Sequence, residues 1–353
     1  MSEEDTVRRP TPEEIDEALL GGARRYTRQE VAQLAGVRFE YARRLWQAMG
    51  FAELPDDVVA FTDGDLAALR KGAELLESEI IDEELGIRLT RALGQTMARL
   101  AEWQVDMLVD ALLPSDRASS GGSSPDDAAR EAVEVAEWLV PELEPLLAYV
   151  WRRQLAASGT RALAAAGAEL GPTRTRLAVG FADLVSFTRL SRELDADGLA
   201  AVVEGYESAA ADIVAEQGGR LVKTVGDEVL FVAERPEAAA EVGLRLAETV
   251  RDTEPPVRGG AHAEPPVRGG AHAMPPVRVG VAYGQVVLRM GDVYGTTVNL
   301  ASRLTSFAKP GTVLVDHGAA EELRETYRLT RIRRRQARGL GSVQPYVLRR
   351  VSG

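Results

Sequence analysis

Cysteine is absent from the 353-residue chain, and histidine occurs only three times. The first absence excludes disulfides, thiolate metal sites and thiol catalysis. The scarcity of histidine leaves oxygen ligands, carboxylates above all, as the means of holding a metal ion. No window supplies about 18 uncharged apolar residues, so no membrane-spanning helix is expected. The start, MSEEDTVRRPTPEE, lacks the basic and then apolar run of a secretory leader, which predicts a cytoplasmic protein. What remains is an ordinary globular composition, 45% hydrophobic and 27% charged, long enough for two domains.

The net charge of −12 is unevenly spread. Residues 1–172 hold 18 Lys and Arg against 32 Asp and Glu, whereas residues 173–353 hold 24 against 22. The acidic first half is a poor phosphate binder, and the near-neutral second half can accept a polyanion. Chemistry is therefore expected late in the chain.

From Pro12 to about Leu113 apolar residues recur at three- and four-residue intervals, the mark of amphipathic helices. A Gly/Ser-rich break at 115–127 precedes a further helical segment, a linker helix at about 130–171, whose wide apolar face fits a partner helix or a bundle interior equally well. The domain boundary is expected near Gly171-Pro172. Beyond it, RLAVGFADLVSF reads as a strand, ELDADGLAAVVEGYESAAADIVAEQG as a helix, and GRLVKTVGDEVLFVA as two strands around Gly226-Asp227. A second helix, a strand region at PPVRVGVAYGQVVLRMGDVYG, the helix TVNLASRLTSFA and the strand GTVLVD follow. This order predicts an α+β fold with a ferredoxin-like split βαβ core in 173–353, behind an all-α domain in 1–172. EPPVRGGAHA occurs twice over 254–273, and MPPVRVGVAY has the form of its intact parent. The copies read as a loop inserted before a core strand, so His262 and His272 are not expected to be ligands.

In FADLVSFT, Asp183 ends an apolar strand, and the turn through Phe187 and Thr188 can offer backbone amides to phosphates. In KTVGDEVLF, Asp227 sits on a tight hairpin that this topology lays beside the first strand. Two aspartates converging without cysteine or histidine form an oxygen-rich site of the kind Mg²⁺ or Mn²⁺ takes when it also binds substrate phosphates. Singly, each has a plainer reading, as a helix cap or a turn residue.

FADLVSFT, GGRLVKTVGDEVLF and GDVYGTTVNLASRL together are similar to the catalytic domain of class III nucleotide cyclases, over about residues 175–350. The resemblance implies that Asp183, Asp227 and the carbonyl of Leu184 bind two metal ions. It implies that Lys223 and Asp292 read adenine, Asn299 orients the ribose and Arg303 stabilises charge on the α-phosphate. It also implies that Arg338, and as a second candidate Arg289, holds the β- and γ-phosphates. These roles agree with the chemistry of the groups. A lysine donates to N1 of adenine and an aspartate accepts from its amine, the reverse of what guanine presents. Asn299 and Arg303 are spaced i, i+4 and share one helix face. The implied protein is an adenylate cyclase acting on ATP, a homodimer whose sites take residues from both chains. RIRRR at 331–335 reads as a solvated edge strand.

YTRQEVAQLAGVRFEYARRLWQAMGF, Tyr26 to Phe51, resembles the helix-turn-helix of MerR-type regulators, with Gly36 at its turn. That leaves an alternative, a DNA-binding regulator fused to a nucleotide-sensing cyclase-like domain. Against it stands the acidity of the surrounding half, because DNA affinity rests largely on phosphate neutralisation. The whole arrangement is more similar to actinobacterial cyclases whose helical N-terminal domain restrains the catalytic dimer, some of them pH-sensitive.

Overall fold

A computed structural model describes residues 10–20, 22–78, 80–112, 125–166, 174–248, 274–289 and 291–351. The repeat at 254–273, with His262 and His272, lies outside them, as do 115–124 of the Gly/Ser-rich break. The chain divides into two compact units, Met1–Ala157 and Ser158–Gly353.

The first unit is helical: α1 (Pro12–Leu20), α2 (Arg28–Leu34), α3 (Phe39–Met49), α4 (Asp63–Glu77), α5 (Glu83–Leu112) and most of α6 (Pro125–Ala166). Thr27 and Thr62 start α2 and α4 through capping boxes with Glu30 and Asp65, which satisfy backbone N–H groups that no helical carbonyl reaches. Tyr41, Ala42 and Leu45 of α3 pack with Ala32, Leu69 and Ile87 in a small core. The expected break at 115–127 ends earlier, because Pro125 opens α6, a position where its missing N–H costs nothing.

The second unit runs β1 (Arg174–Leu184), α7 (Phe187–Glu193), α8 (Ala196–Glu216), β2 (Arg220–Val225), β3 (Glu228–Ala233), α9 (Pro236–Glu248), β4 (Val277–Arg289), β5 (Asp292–Tyr294), α10 (Thr296–Phe307), β6 (Val313–Val315), α11 (His317–Leu323), β7 (Tyr327–Arg331), β8 (Arg335–Ala337), β9 (Gly341–Val343) and β10 (Tyr346–Arg350). The main sheet is ordered β2-β3-β1-β4-β6-β10-β7, with β5 paired to β4. Its first four strands have the order of a ferredoxin-like core, and β1 runs antiparallel to both β3 and β4.

Side-chain alternation gives the sheet two cores. Ala182, Leu184 and Phe231 face Tyr206 of α8, Leu246 of α9 and Leu323 of α11. Val179, Leu230 and Ala282 face Ala301 and Leu304 of α10, together with Ala337 and Val343 of the β8–β9 hairpin. Gly280 lets α10 lie directly on β4, since a Cβ there would stand 2.2 Å from the Thr305 nitrogen and 2.5 Å from the Ala301 oxygen. Two boundaries differ from the sequence reading. The turn after Asp183 is shorter than expected, with Phe187 and Thr188 already helical, and RIRRR is not one strand but links the edge strand β7 to β8.

Candidate active site

The site begins with backbone pairing. In the β1–β3–β4 register Asp183 stands opposite Glu228 on one side and Arg278 on the other, so all three side chains leave the same face of the sheet as α10. The β2–β3 turn consists of Gly226 and Asp227, and Gly226 takes a φ of 61° that favours glycine. The Leu184 N–H donates to the Asp227 carbonyl at 3.1 Å, tying the hairpin to the end of β1. Asp183 and Asp227 are thereby brought together, as the two motifs lead one to expect. Ser186, next along the turn, has φ 66°, the one left-handed non-glycine among the described residues.

The electrostatics follow from this crowding. Burial pushes the Asp183 carboxyl up, and neighbouring Asp227 adds to the rise, while Arg278 opposes it. Burial, Asp183 and Asp227 likewise raise Glu228. Arg278 Nε donates to Asp183 Oδ2 at 2.5 Å and partly neutralises the cluster. Sequence reasoning did not single out Arg278; the signal was there, as the one charged side chain on the otherwise apolar stretch VRVGVA.

Lys223 stands opposite Leu230 in the β2–β3 ladder. Its Nζ donates to Asp292 Oδ2 at 2.5 Å, joining β2 to β5 and bringing together the two residues expected to read a base. Burial would raise Asp292, but Lys223 and the Val293 N–H hold its carboxyl below the usual aspartate range. On α10, Thr297, Ala301, Leu304 and Thr305 are buried, whereas Asn299 and Arg303 share the exposed face. No hydrogen bond or ion pair among the described residues links the Asp183–Asp227 group to Lys223, Asp292, Asn299 or Arg303. Arg338 lies exposed in the β8–β9 turn, Arg289 exposed at the end of β4, Phe187 half-buried and Thr188 exposed at the start of α7.

Among the described residues no three carboxylate or imidazole side chains converge as a ready-made cage. Asp183 and Asp227 nevertheless fit a hard divalent cation that completes its coordination with backbone and substrate oxygens, such as the Leu184 carbonyl. The burial of Asp183, only partly offset by Arg278, points the same way, because a cation would relieve it.

Residues 172–350 match the adenylate and guanylate cyclase catalytic domain. The chain belongs to that family. Catalytic domains of this cyclase family act on nucleotides, use divalent metal ions and typically dimerise. Across 96% of its length the chain is 42% identical to a protein of Streptomyces coelicolor named adenylate cyclase, covering 90% of it. It is 44% identical over 88% of its length to an adenylate cyclase of Streptomyces griseus, covering 71%, and 39% identical over 96% to one of Glutamicibacter nicotianae, covering 82%. The cyclase domain is thus joined to a helical half that the relatives share.

In that half the segment Tyr26 to Phe51 holds α2 and α3, and no relative reported above is a DNA-binding regulator. Arg38 pairs with Glu83, Arg44 with Glu84 at 3.0 Å and Arg43 with Glu40 at 3.2 Å, so these arginines of and beside α3 already have carboxylate partners. No helix of the described residues is long and apolar enough to cross a membrane.

Proposed function

We propose that this chain is an adenylate cyclase that converts ATP to 3′,5′-cyclic AMP and pyrophosphate in two equivalent sites, each shared between two copies of the chain, and that its helical half regulates the reaction. The observation that carries the activity is the joining of Asp183 and Asp227 at the β1–β3 edge within a cyclase domain whose named relatives are adenylate cyclases. Two divalent cations held there, Mg²⁺ or Mn²⁺, would supply Lewis acidity toward the ribose 3′-hydroxyl and the phosphate oxygens.

The chain's own residues do the rest. Lys223 donates to N1 of adenine and Asp292 accepts from the exocyclic amine. Asn299 holds the ribose so that its 3′ oxygen lies in line with the α-phosphorus. As that oxygen attacks and the bond to pyrophosphate breaks, Arg303 donates to the α-phosphate oxygens on which negative charge gathers. Arg338, with Arg289 as second candidate, takes the β- and γ-phosphates, and the first-turn amides at Phe187 and Thr188 donate to them. Arg278, which donates to Asp183, would be free to turn to the phosphates if that carboxylate held a cation.

Sharing between chains is supported by the exposure of Asn299 and Arg303, whose side chains have no hydrogen-bond or ion-pair partner among the described residues. It is supported also by the exposed apolar run Leu146, Leu147, Tyr149, Val150, Trp151 and Leu155 on α6, a surface suited to a second copy. The test is complementation. Asp183→Ala and Arg303→Ala are each expected to form no cyclic AMP from Mn²⁺-ATP, and mixing them is expected to restore activity through one wild-type site per mixed dimer. Mixtures that exchange subunits yet stay inactive would refute the shared site; activity in Asp183→Ala alone would refute its role.

A further inference from the structure

The segment from Arg324 to Arg350 carries nine arginines and one glutamate, within a chain whose net charge is −12. Two of these arginines face each other. In the β7–β10 ladder Arg328 stands directly opposite Arg349, and like charges so placed cost a sheet stability. Both side chains are exposed, and neither has a hydrogen-bond or ion-pair partner among the described residues. The next residue, Arg350, leaves the other face, where Glu241 and Glu248 of α9 both accept from it. Charge on an edge strand blocks pairing with another sheet, which accounts for Arg328. It does not account for Arg349, because β10 is flanked by β6 and β7.

Register puts this pair at the same end of the sheet as Asp183. Val313 of β6 pairs with Val279 of β4 and with Leu348 of β10, so the residues one step outward, Arg278 and Arg349, lie level with each other and on the same face. Arg278 in turn stands opposite Asp183. A row of Arg328, Arg349, Arg278 and Asp183 thus crosses the face on which α10 lies. With strands about 4.8 Å apart, Arg349 stands about 14 Å from Asp183, too far to share one phosphate with a cation held there. We propose that Arg328 and Arg349 form an anion site for a pyrophosphoryl group, either released pyrophosphate or the tail of a nucleotide, separate from the cation site and on the same face. Guanidinium forks match phosphate oxygens two at a time, and a bound anion cancels a repulsion that no carboxylate among the described residues relieves. The choice of anion rests on the reading of the chain as an adenylate cyclase, whose substrate and product both carry that group.

The test is isothermal titration calorimetry of the full-length protein in EDTA, which silences metal-dependent binding at Asp183, with inorganic pyrophosphate and a non-hydrolysable ATP analogue as probes. Wild type is compared with Arg328→Gln/Arg349→Gln, with Asp183→Ala, and with Arg333→Gln/Arg334→Gln, which removes equal charge from the exposed link between β7 and β8. Pyrophosphate affinity is expected to fall at least about tenfold in the first variant and to stay within about threefold of wild type in the other two. A parallel loss of the ATP analogue means that the site takes nucleotide tails as well; pyrophosphate binding alone assigns it to the released product. Equal losses in the two double-arginine variants overturn the proposal, since the binding would then be general charge attraction. It is overturned too if wild type binds no pyrophosphate, if Arg328→Gln/Arg349→Gln binds it unchanged, or if Asp183→Ala loses it. Without anion, Arg328→Gln/Arg349→Gln should melt at or above the wild-type temperature, because a repulsion is removed; a transition several degrees lower would reveal a structural partner and also overturn the assignment. Failure of the cyclase reading would show separately, as cyclic AMP formed by Asp183→Ala.

Discussion

Lys223 and Asp292 show what sequence can and cannot place. The motifs GRLVKTVGDEV and GDVYG name both residues, and their complementarity to adenine follows from donor and acceptor chemistry alone. That they form one ion pair across β2 and β5 is a tertiary fact, because 69 residues separate them and no spacing rule reaches so far. Arg278 escaped notice for a related reason: it sits in a stretch whose periodicity is fully explained by strand, and only sheet pairing reveals that Asp183 lies beside it. The pairing makes purine choice testable. Exchanging both residues together, Lys223→Glu with Asp292→Cys, presents adenine's polar edge with mismatched partners. Unpaired buried groups cost about 1–3 kcal/mol each, so kcat/KM for ATP should fall at least about thirtyfold. ATP selectivity within a fewfold of wild type, in a variant that still melts cooperatively, would remove this pair from base recognition.

Among the elements, the β-α-β-β-α-β order was legible because the core strands are long and apolar and their helices strongly periodic. The tail was less so. β7 to β10 are three to five residues each and all but β9 carry arginine, so only sheet pairing marks where the RIRRR run stops being strand. The seat of α10 on β4 could not be read at all, since Gly280 in VRVGVAYG is one glycine among 33. Gly280→Ala places a methyl against the α10 backbone, an overpacking worth about 1–3 kcal/mol. Differential scanning calorimetry should show the cyclase unit melting several degrees lower. Activity should fall too, because α10 carries Asn299 and Arg303; an unshifted transition would mean that α10 can ride outward freely.

A second clamp joins α9 to the sheet. Tyr327 Oη donates to Glu241 at 2.7 Å and Arg350 Nη2 donates to the same carboxylate at 2.8 Å. Burial alone would raise Glu241, but these donors hold it below the usual glutamate range. A depressed carboxyl adds stability above its unfolded value, and that stability is lost as pH falls through its folded value. Glu241→Gln should therefore lower stability near neutrality by no more than about 1 kcal/mol, given the solvent around Arg350. Chemical denaturation at stepped pH should show the deficit vanish in acid; a deficit constant from pH 7 to pH 3 would mean that packing and not charge is what the substitution removes.

For the whole molecule, the charge asymmetry between the halves and the change from helical to strand periodicity near residue 172 made two parts legible, whereas what the helical part does left no local signature. The described carboxylates of SEIIDEELG each have a partner. Asp82 caps α5 by accepting from the Leu85 N–H at 2.7 Å, Glu83 pairs with Arg38 and Glu84 with Arg44. A proton-sensitive response of this half would have to act through such ion pairs, and His317, exposed beside Glu321 in the cyclase unit, is the one described histidine. If each site needs two chains to meet, a small change in how the protomers are oriented separates Asp183 of one from Arg303 of the other, and a helical unit joined through α6 can impose that change. The comparison to make is residues 158–353 against the full chain, because Ser158–Ala166 of α6 group with the cyclase unit. Both should be assayed from pH 5.5 to pH 8.5 at concentrations where sedimentation shows each to be dimeric. A regulatory coupling of ordinary size predicts basal rates that differ about fivefold or more, and a pH profile of the full chain that the shorter form lacks. Superimposable rates and profiles for the two dimers would end the regulatory assignment of the helical half.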